Sequence, residues 1–183
     1  MTEPELLDRL RRGDQAAFES IFRQYSPQMV AVALAMLHDR GIAEEVGQEV
    51  MLELWRRREA LRVELSLRAY LIRATRNRAL NHIRHERIVR AAEPYAAAET
   101  TLAPRADRDL ADHQIDAAVR AAINELPPRC REVFELSRMH GLKYAEIAQT
   151  LNISIKTVEA QMGKALRTLR ERLAAWLPDA QGL

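Results

Sequence analysis

Apolar residues recur along this chain at intervals of three and four, the spacing of one face of an α-helix. A first helix is opened by Thr2 and Pro4 and closed near Gly13. Asp14 is placed to cap a second, in which Ala17, Phe18, Ile21, Phe22 and Tyr25 form an apolar stripe. Pro27 predicts a break or a kink, and after it residues 29–37 are apolar on nearly every side, as in a helix buried among others. Residues 42–55 turn Val46, Val50 and Leu54 inward, with Glu45, Gln48, Glu49 and Glu53 on or near the opposite side. Gly47 within that helix costs about 1 kcal/mol against alanine, which calls for a packing or docking reason. A long helix is predicted from about residue 66 to 88, with Tyr70, Ala74, Asn77 or Arg78, and Asn81 along one side and Leu71, Leu80 and Ile83 packed on another. Further on, residues 115–126 form a helix stopped by Pro127 and Pro128. Residues 129–138 carry Val133, Phe134 and Leu136 into a core, and Gly141 closes that helix. Trp176, Leu177 and Pro178 end the ordered chain.

Residues 143–172 split at Asn152 and Ser154 into two helical patterns. Ile147, Ala148 and Leu151 share a face of the first; Val158, Met162, Ala165, Leu166 and Leu169 form the stripe of the second. Ser154 is an N-cap able to accept the amide of Lys156 or Thr157. Lys143 stands where a Ser or Thr would cap the first helix, so that start is weakly marked. Two short helices joined by a tight turn, with Lys156, Thr157, Gln161, Lys164 and Arg167 left outward, describe a helix-turn-helix whose second member suits phosphates and base edges.

The chain has 183 residues, only six glycines, and an excess of Ala, Leu, Glu and Arg, so the fold class is all-α. Its formal net charge of +2 hides an asymmetry. Residues 1–55 hold five Arg against ten Asp or Glu, while residues 56–90 hold eleven Arg against three Glu. An all-arginine basic segment suits bidentate contact with phosphate, and Arg73, Arg76, Asn77, Arg84 and Arg87 are candidates to face a polynucleotide groove. Residues 91–112, rich in Ala and carrying Pro94 and Pro104, read as a linker of low regular structure between an N-terminal domain, 1–90, and a C-terminal one, 113–183.

Other chemistry finds little footing. The single cysteine, Cys130, excludes an internal disulfide and any Cys-rich zinc site and fits a reducing cytoplasm. No basic start precedes an apolar core, and no apolar run approaches the roughly 20 residues that span a bilayer, so neither secretion nor membrane insertion is expected. His82, His85 and Glu86 offer the material of a metal-dependent hydrolase, but their order matches no zincin pattern and arginines surround them. With no phosphate-cradling glycine loop and no nucleophile elbow, an enzyme is not expected, nor a cofactor.

Three features stand in order: the acidic E-E-V-G-Q-E helix, the Arg/Asn-rich helix, and L-P-P-R-C-R-E-V-F followed by Y-A-E-I-A and S-I-K-T-V-E. Together they resemble a sigma-70-family RNA polymerase sigma factor of the extracytoplasmic-function (ECF) type, over nearly the whole chain. The resemblance implies core RNA polymerase, promoter DNA and an anti-sigma factor as partners. It implies that Glu45, Gln48 and Glu49 dock on the clamp coiled coil of the largest polymerase subunit. It implies that Arg73, Arg76, Asn77, Asn81 and Arg84 meet the minus-ten element. Ser154, Lys156, Thr157, Glu159, Gln161 and Lys164 correspond to the reader of the minus-thirty-five element, and the linker to a segment along the RNA exit path. The chain departs from the family pattern at Tyr70, often tryptophan, at Gly47, usually a larger aliphatic, and at Glu159 and Ala160, often basic. The loop 59–67 carries no aromatic to stack on a flipped base. A stand-alone helix-turn-helix regulator would need a dimer and a palindromic site, and it leaves the acidic face without a role.

Overall fold

The structure, a computed structural model, describes residues 2–92 and 110–174. These fall into two compact helical units. The first contains α1 (Glu3–Arg11), α2 (Gln15–Leu37), α3 (Arg40–Arg56), one 3-10 turn (Arg58–Ala60) and α4 (Leu67–Ala92). Its helix starts are chemically marked. Thr2 and Glu5 form a reciprocal capping box, the Thr2 amide donating to Glu5 Oε2 at 2.8 Å. Asp14 accepts the amides of Ala16 and Ala17 at 2.9 and 3.2 Å, and Asp39 accepts that of Ile42 at 3.0 Å. Ser66 Oγ accepts the amide of Ala69 at 3.1 Å, and the Glu3 carboxylate reaches across to the Leu67 amide at 2.9 Å, joining the start of α4 to the start of α1.

Leu10, Ile21, Met29, Met51, Leu54, Leu67 and Leu71 are fully buried where these helices meet, each worth about 1.5–3 kcal/mol against exposure. A smaller cluster, Ala33, Ala43 and Val46 with Val30 and Leu34 against it, closes the far end of α2 on α3. Pro27 breaks nothing: α2 runs through it from Gln15 to Leu37. A proline there removes one helical hydrogen bond and costs about 3 kcal/mol in a helix interior. Pro27 is exposed, while Ile21, Tyr25, Met29 and Val32 on both sides of it are buried, so tertiary packing holds both halves in one helix. The long arginine helix also extends past residue 88, and Ala91 and Ala92, assigned to the linker, are helical.

The second unit comprises α5 (Leu110–Asn124), α6 (Pro128–Arg138), α7 (Tyr144–Leu151) and α8 (Ile155–Arg172). The helix α5 begins inside the segment read as linker, and the rest of that segment lies outside the described residues, as do Trp176, Leu177 and Pro178. Pro128 occupies the first turn of α6, where its missing N–H costs nothing. Arg131 on α6 turns back to donate to the carbonyls of Leu126, at 3.2 Å, and Asn124, satisfying acceptors left open where α5 ends. Leu126, Cys130, Val133, Ile147, Val158, Met162 and Ala165 make the core of this unit.

Candidate nucleic-acid interface

The turn between α7 and α8 is built by two residues. Asn152 takes the left-handed conformation at φ 54° and ends α7; the Ile153 amide donates to the Ala148 carbonyl at 2.9 Å. Ser154 then caps α8, its Oγ accepting the Thr157 amide at 3.0 Å and lying 2.8 Å from the Thr157 hydroxyl. The weak start at Lys143 is resolved from the other side. Lys143 has no side-chain acceptor, but the Glu146 carboxylate accepts its amide at 2.7 Å, one half of a capping box.

Val158, Met162, Ala165 and Leu169 face the core, whereas Leu166, expected in that stripe, is 39% exposed. Lys156, Glu159, Lys164 and Arg167 are exposed on α8. Three other candidates are engaged within the fold. Ser154 and Thr157 bond each other, and half-buried Gln161 accepts the Cys130 thiol at Oε1, 3.0 Å. Gln161 is therefore not a freely outward side chain: a donor 31 positions away in sequence holds its carbonyl.

On α4, Leu71, Ile72, Thr75 and Ala79 face the core, and the Thr75 hydroxyl donates back to the Leu71 carbonyl at 2.9 Å. Arg73, Asn77, Asn81 and Arg84 share the opposite, exposed stripe, with Arg84 donating to Asn81 Oδ1 at 3.2 Å; Arg76 is half-buried at its flank. Tyr70 and Ala74, read as continuing the Asn77–Asn81 side, instead pack against the core, and burial raises the Tyr70 phenol above its ordinary value. In the loop before α4, Leu65 is exposed and Leu61 buried.

The acidic side of α3 divides. Glu45 and Gln48 are exposed, and Gln48 borders a groove of about 410 Å³ lined by Phe22, Pro27, Val30, Arg40 and Glu44. Glu49 is not free: Arg78 Nε donates to its carboxylate at 2.6 Å, and that hydrogen bond holds the Glu49 carboxyl below its ordinary range. Glu53 pairs with Arg57. Gly47 faces α2, where an added Cβ would stand 3.3 Å from Val30 Cγ2, so close helix packing explains this glycine. His82 lies 3.7 Å from Glu86, while His85 is exposed; no group of three or more metal-ligating side chains occurs among the described residues. Nor, among them, is any helix long and apolar enough to cross a membrane.

Sequence reasoning missed Arg78, Cys130 and Glu146 as partners. Only Glu146 carried a local signal, a glutamate three residues after a helix start.

Comparison with known proteins places these surfaces in a family. Residues 21–88 match the model of sigma-70 region 2, and residues 116–169 that of sigma-70 region 4. The ECF RNA polymerase sigma factor SigK of Mycobacterium tuberculosis is 30% identical over 171 residues, covering 92% of this chain and 91% of SigK. The chain belongs to the sigma-70 family and is an RNA polymerase sigma factor of the ECF type. Two solved structures share the fold. CnrH, solved with the cytosolic domain of CnrY, aligns at TM-score 0.65 and 21% identity, over 94% of this chain and 97% of that one. RpoE of Bartonella quintana, solved with the anti-sigma factor NepR, aligns at 0.64 and 21%, over 86% and 96%.

Proposed function

We propose that this sigma factor divides its work among three exposed surfaces, and that the carrying observation is the exposed polar stripe of α4. Arg73, Asn77 and Asn81 follow one another at intervals of four, with Arg84 beside them, over a helix face that makes no contribution to the core. Arginine and asparagine at that spacing offer donors to phosphates and to exposed base edges, the chemistry needed at a minus-ten element being opened. Arg76 flanks the stripe. On α3, exposed Glu45 and Gln48, the latter lining the Phe22–Val30 groove, supply the docking face for core polymerase; Glu49 contributes to it through its pair with Arg78. On α8, Lys156, Glu159 and Lys164 face the minus-thirty-five element, with Ser154 and Thr157 setting the helix start and Gln161 at the flank.

The domain at residues 1–90 thus serves polymerase and the minus-ten element, that at 113–183 the minus-thirty-five element, and residues 91–112 tether them. The protein has no catalysis of its own and acts in the cytoplasm, where polymerase and DNA are. An anti-sigma factor, as in the RpoE complex, is its expected restraint.

The test is co-elution of the full chain with core polymerase, followed by run-off transcription from genomic fragments. Glu45→Arg with Gln48→Arg should abolish co-elution while leaving the chain folded, and wild type should give discrete transcripts. Co-elution unchanged by the double reversal would remove the docking face. A dimer that binds a palindrome without polymerase would replace the whole reading with that of a stand-alone regulator.

A further inference from the structure

Cys130 lies on α6, 1% exposed, among Ala122, Ile123, Leu126, Ala165 and Leu169. Its neighbours there are apolar, yet its thiol has a polar partner: Sγ is 3.0 Å from Oε1 of Gln161 on α8. The consequence falls on Gln161. A glutamine normally presents an acceptor and two donors, and the pair read together is what lets it bind adenine at N6 and N7. One lone pair of the oxygen is taken by the buried thiol and the oxygen is held toward the core, which leaves the two amide hydrogens as the unengaged group of half-buried Gln161. One turn before it, Thr157 is held by Ser154, and three residues after it Lys164 is exposed. Along this edge of α8, the candidate readers therefore present donors or are already bonded to their neighbours.

We propose that Cys130 is a positioning residue for promoter reading: it holds the Gln161 oxygen toward the core, so that Gln161 favours a hydrogen-bond acceptor on DNA over the bidentate adenine contact. This rests on the assignment of α8 to the minus-thirty-five element. The acceptor is either a phosphate oxygen or a base-edge acceptor such as guanine O6 or N7. A thiol is a weak donor, so the constraint is soft and its loss should shift discrimination by about two- to ten-fold, the range of one ordinary hydrogen bond.

The experiment uses holoenzyme reconstituted from the full chain and core polymerase, transcribing a promoter library randomised through the minus-thirty-five region. Cys130→Ala removes the donor, Cys130→Ser keeps one, and Gln161→Ala removes the reader; thermal melting of each variant separates reading from folding. Cys130→Ala should newly favour adenine at one position if Gln161 meets a base, or change all templates alike if it meets a phosphate. Cys130→Ser should keep the wild-type profile, and Cys130→Ala should add nothing to Gln161→Ala. Additive effects of the two alanine variants, or a serine variant that behaves as the alanine one, would overturn the proposal, since Cys130 would then act through packing alone. Lys164→Ala distinguishes the deeper failure: if neither it nor Gln161→Ala alters dependence on the upstream element, the assignment of α8 falls and the proposal falls with it.

Discussion

Arg78 donates its Nε–H to the Glu49 carboxylate at 2.6 Å, so the helix that carries the acids Glu45 and Glu49 is tied to the helix that carries the arginines. Arg78 is the main reason that the Glu49 carboxyl sits below its ordinary range, with the charges of Arg78 and His82 acting in the same direction and slight burial opposing them. A carboxyl whose folded-state value is depressed contributes stability that is present above its unfolded value and lost as pH falls through the folded one. Both side chains are more than a third exposed, which limits the pair to about 0.2–1 kcal/mol. Arg78→Gln should lower unfolding free energy by that amount in urea titrations at neutral pH. The difference should vanish in acid, below the ordinary carboxylate range; an equal loss at both would show that Arg78 acts by packing instead.

At Lys143 the fold leaves a cap unfilled. Its backbone is extended, φ −74° and ψ 157°, which is the conformation of an N-cap, and Glu146 already accepts its amide. Lys143→Thr would place a side-chain hydroxyl acceptor at this N-cap, opposite the Glu146 carboxylate that already accepts the residue 143 amide, stabilising the second unit by about 0.5–1 kcal/mol. Chemical denaturation followed on this unit should show a higher midpoint with an unchanged slope. A midpoint at or below wild type would mean that the lysine serves the fold in some other way.

What could be read from the sequence follows a physical division. Helices with one apolar stripe and a local cap were legible, because the period of Val46, Val50 and Leu54 or the cap at Ser154 lies within a turn or two of chain. Of the two expectations at Pro27, a break or a kink, the break does not occur, because burial of Ile21, Tyr25 and Met29 by other helices outweighs the local preference of a proline. The candidate surfaces divide in the same manner. Exposure of Arg73, Asn77 and Asn81 follows from helical spacing alone. The capture of Glu49 by Arg78 and of Gln161 by Cys130 depends on partners 29 and 31 residues away, which no local pattern encodes.

Gly47 is explained by the seam between α2 and α3. A Cβ there would stand 3.3 Å from Val30 Cγ2, a few tenths of an ångström too close, but Val30 is only half-buried and borders an open groove. The strain of Gly47→Ala should therefore be offset by alanine's helix preference of about 1 kcal/mol, leaving stability within about 1 kcal/mol of wild type. Gly47→Leu has no such room and should lose about 1–3 kcal/mol by overpacking. Urea denaturation of the two variants checks the pair. A leucine variant as stable as wild type would show that the seam is loose and that the glycine has another reason.

Substitutions at Ser154 separate folding from the DNA reading proposed for the start of α8. Its Oγ accepts the Thr157 amide at 3.0 Å, so Ser154→Ala should cost about 0.5–2 kcal/mol of stability. Ser154→Asp keeps an acceptor at the same position and places its charge at the positive end of the helix, so it should be as stable as wild type or slightly more so. Its effect on transcription should run the other way. A carboxylate beside exposed Lys156 weakens the field that would draw a phosphate to this helix end, so transcription from minus-thirty-five-dependent promoters should fall several-fold although the unit melts normally. Melting curves and run-off transcription on the same preparations test both halves. An aspartate variant with full stability and full activity would place the DNA somewhere other than the N-terminal end of α8.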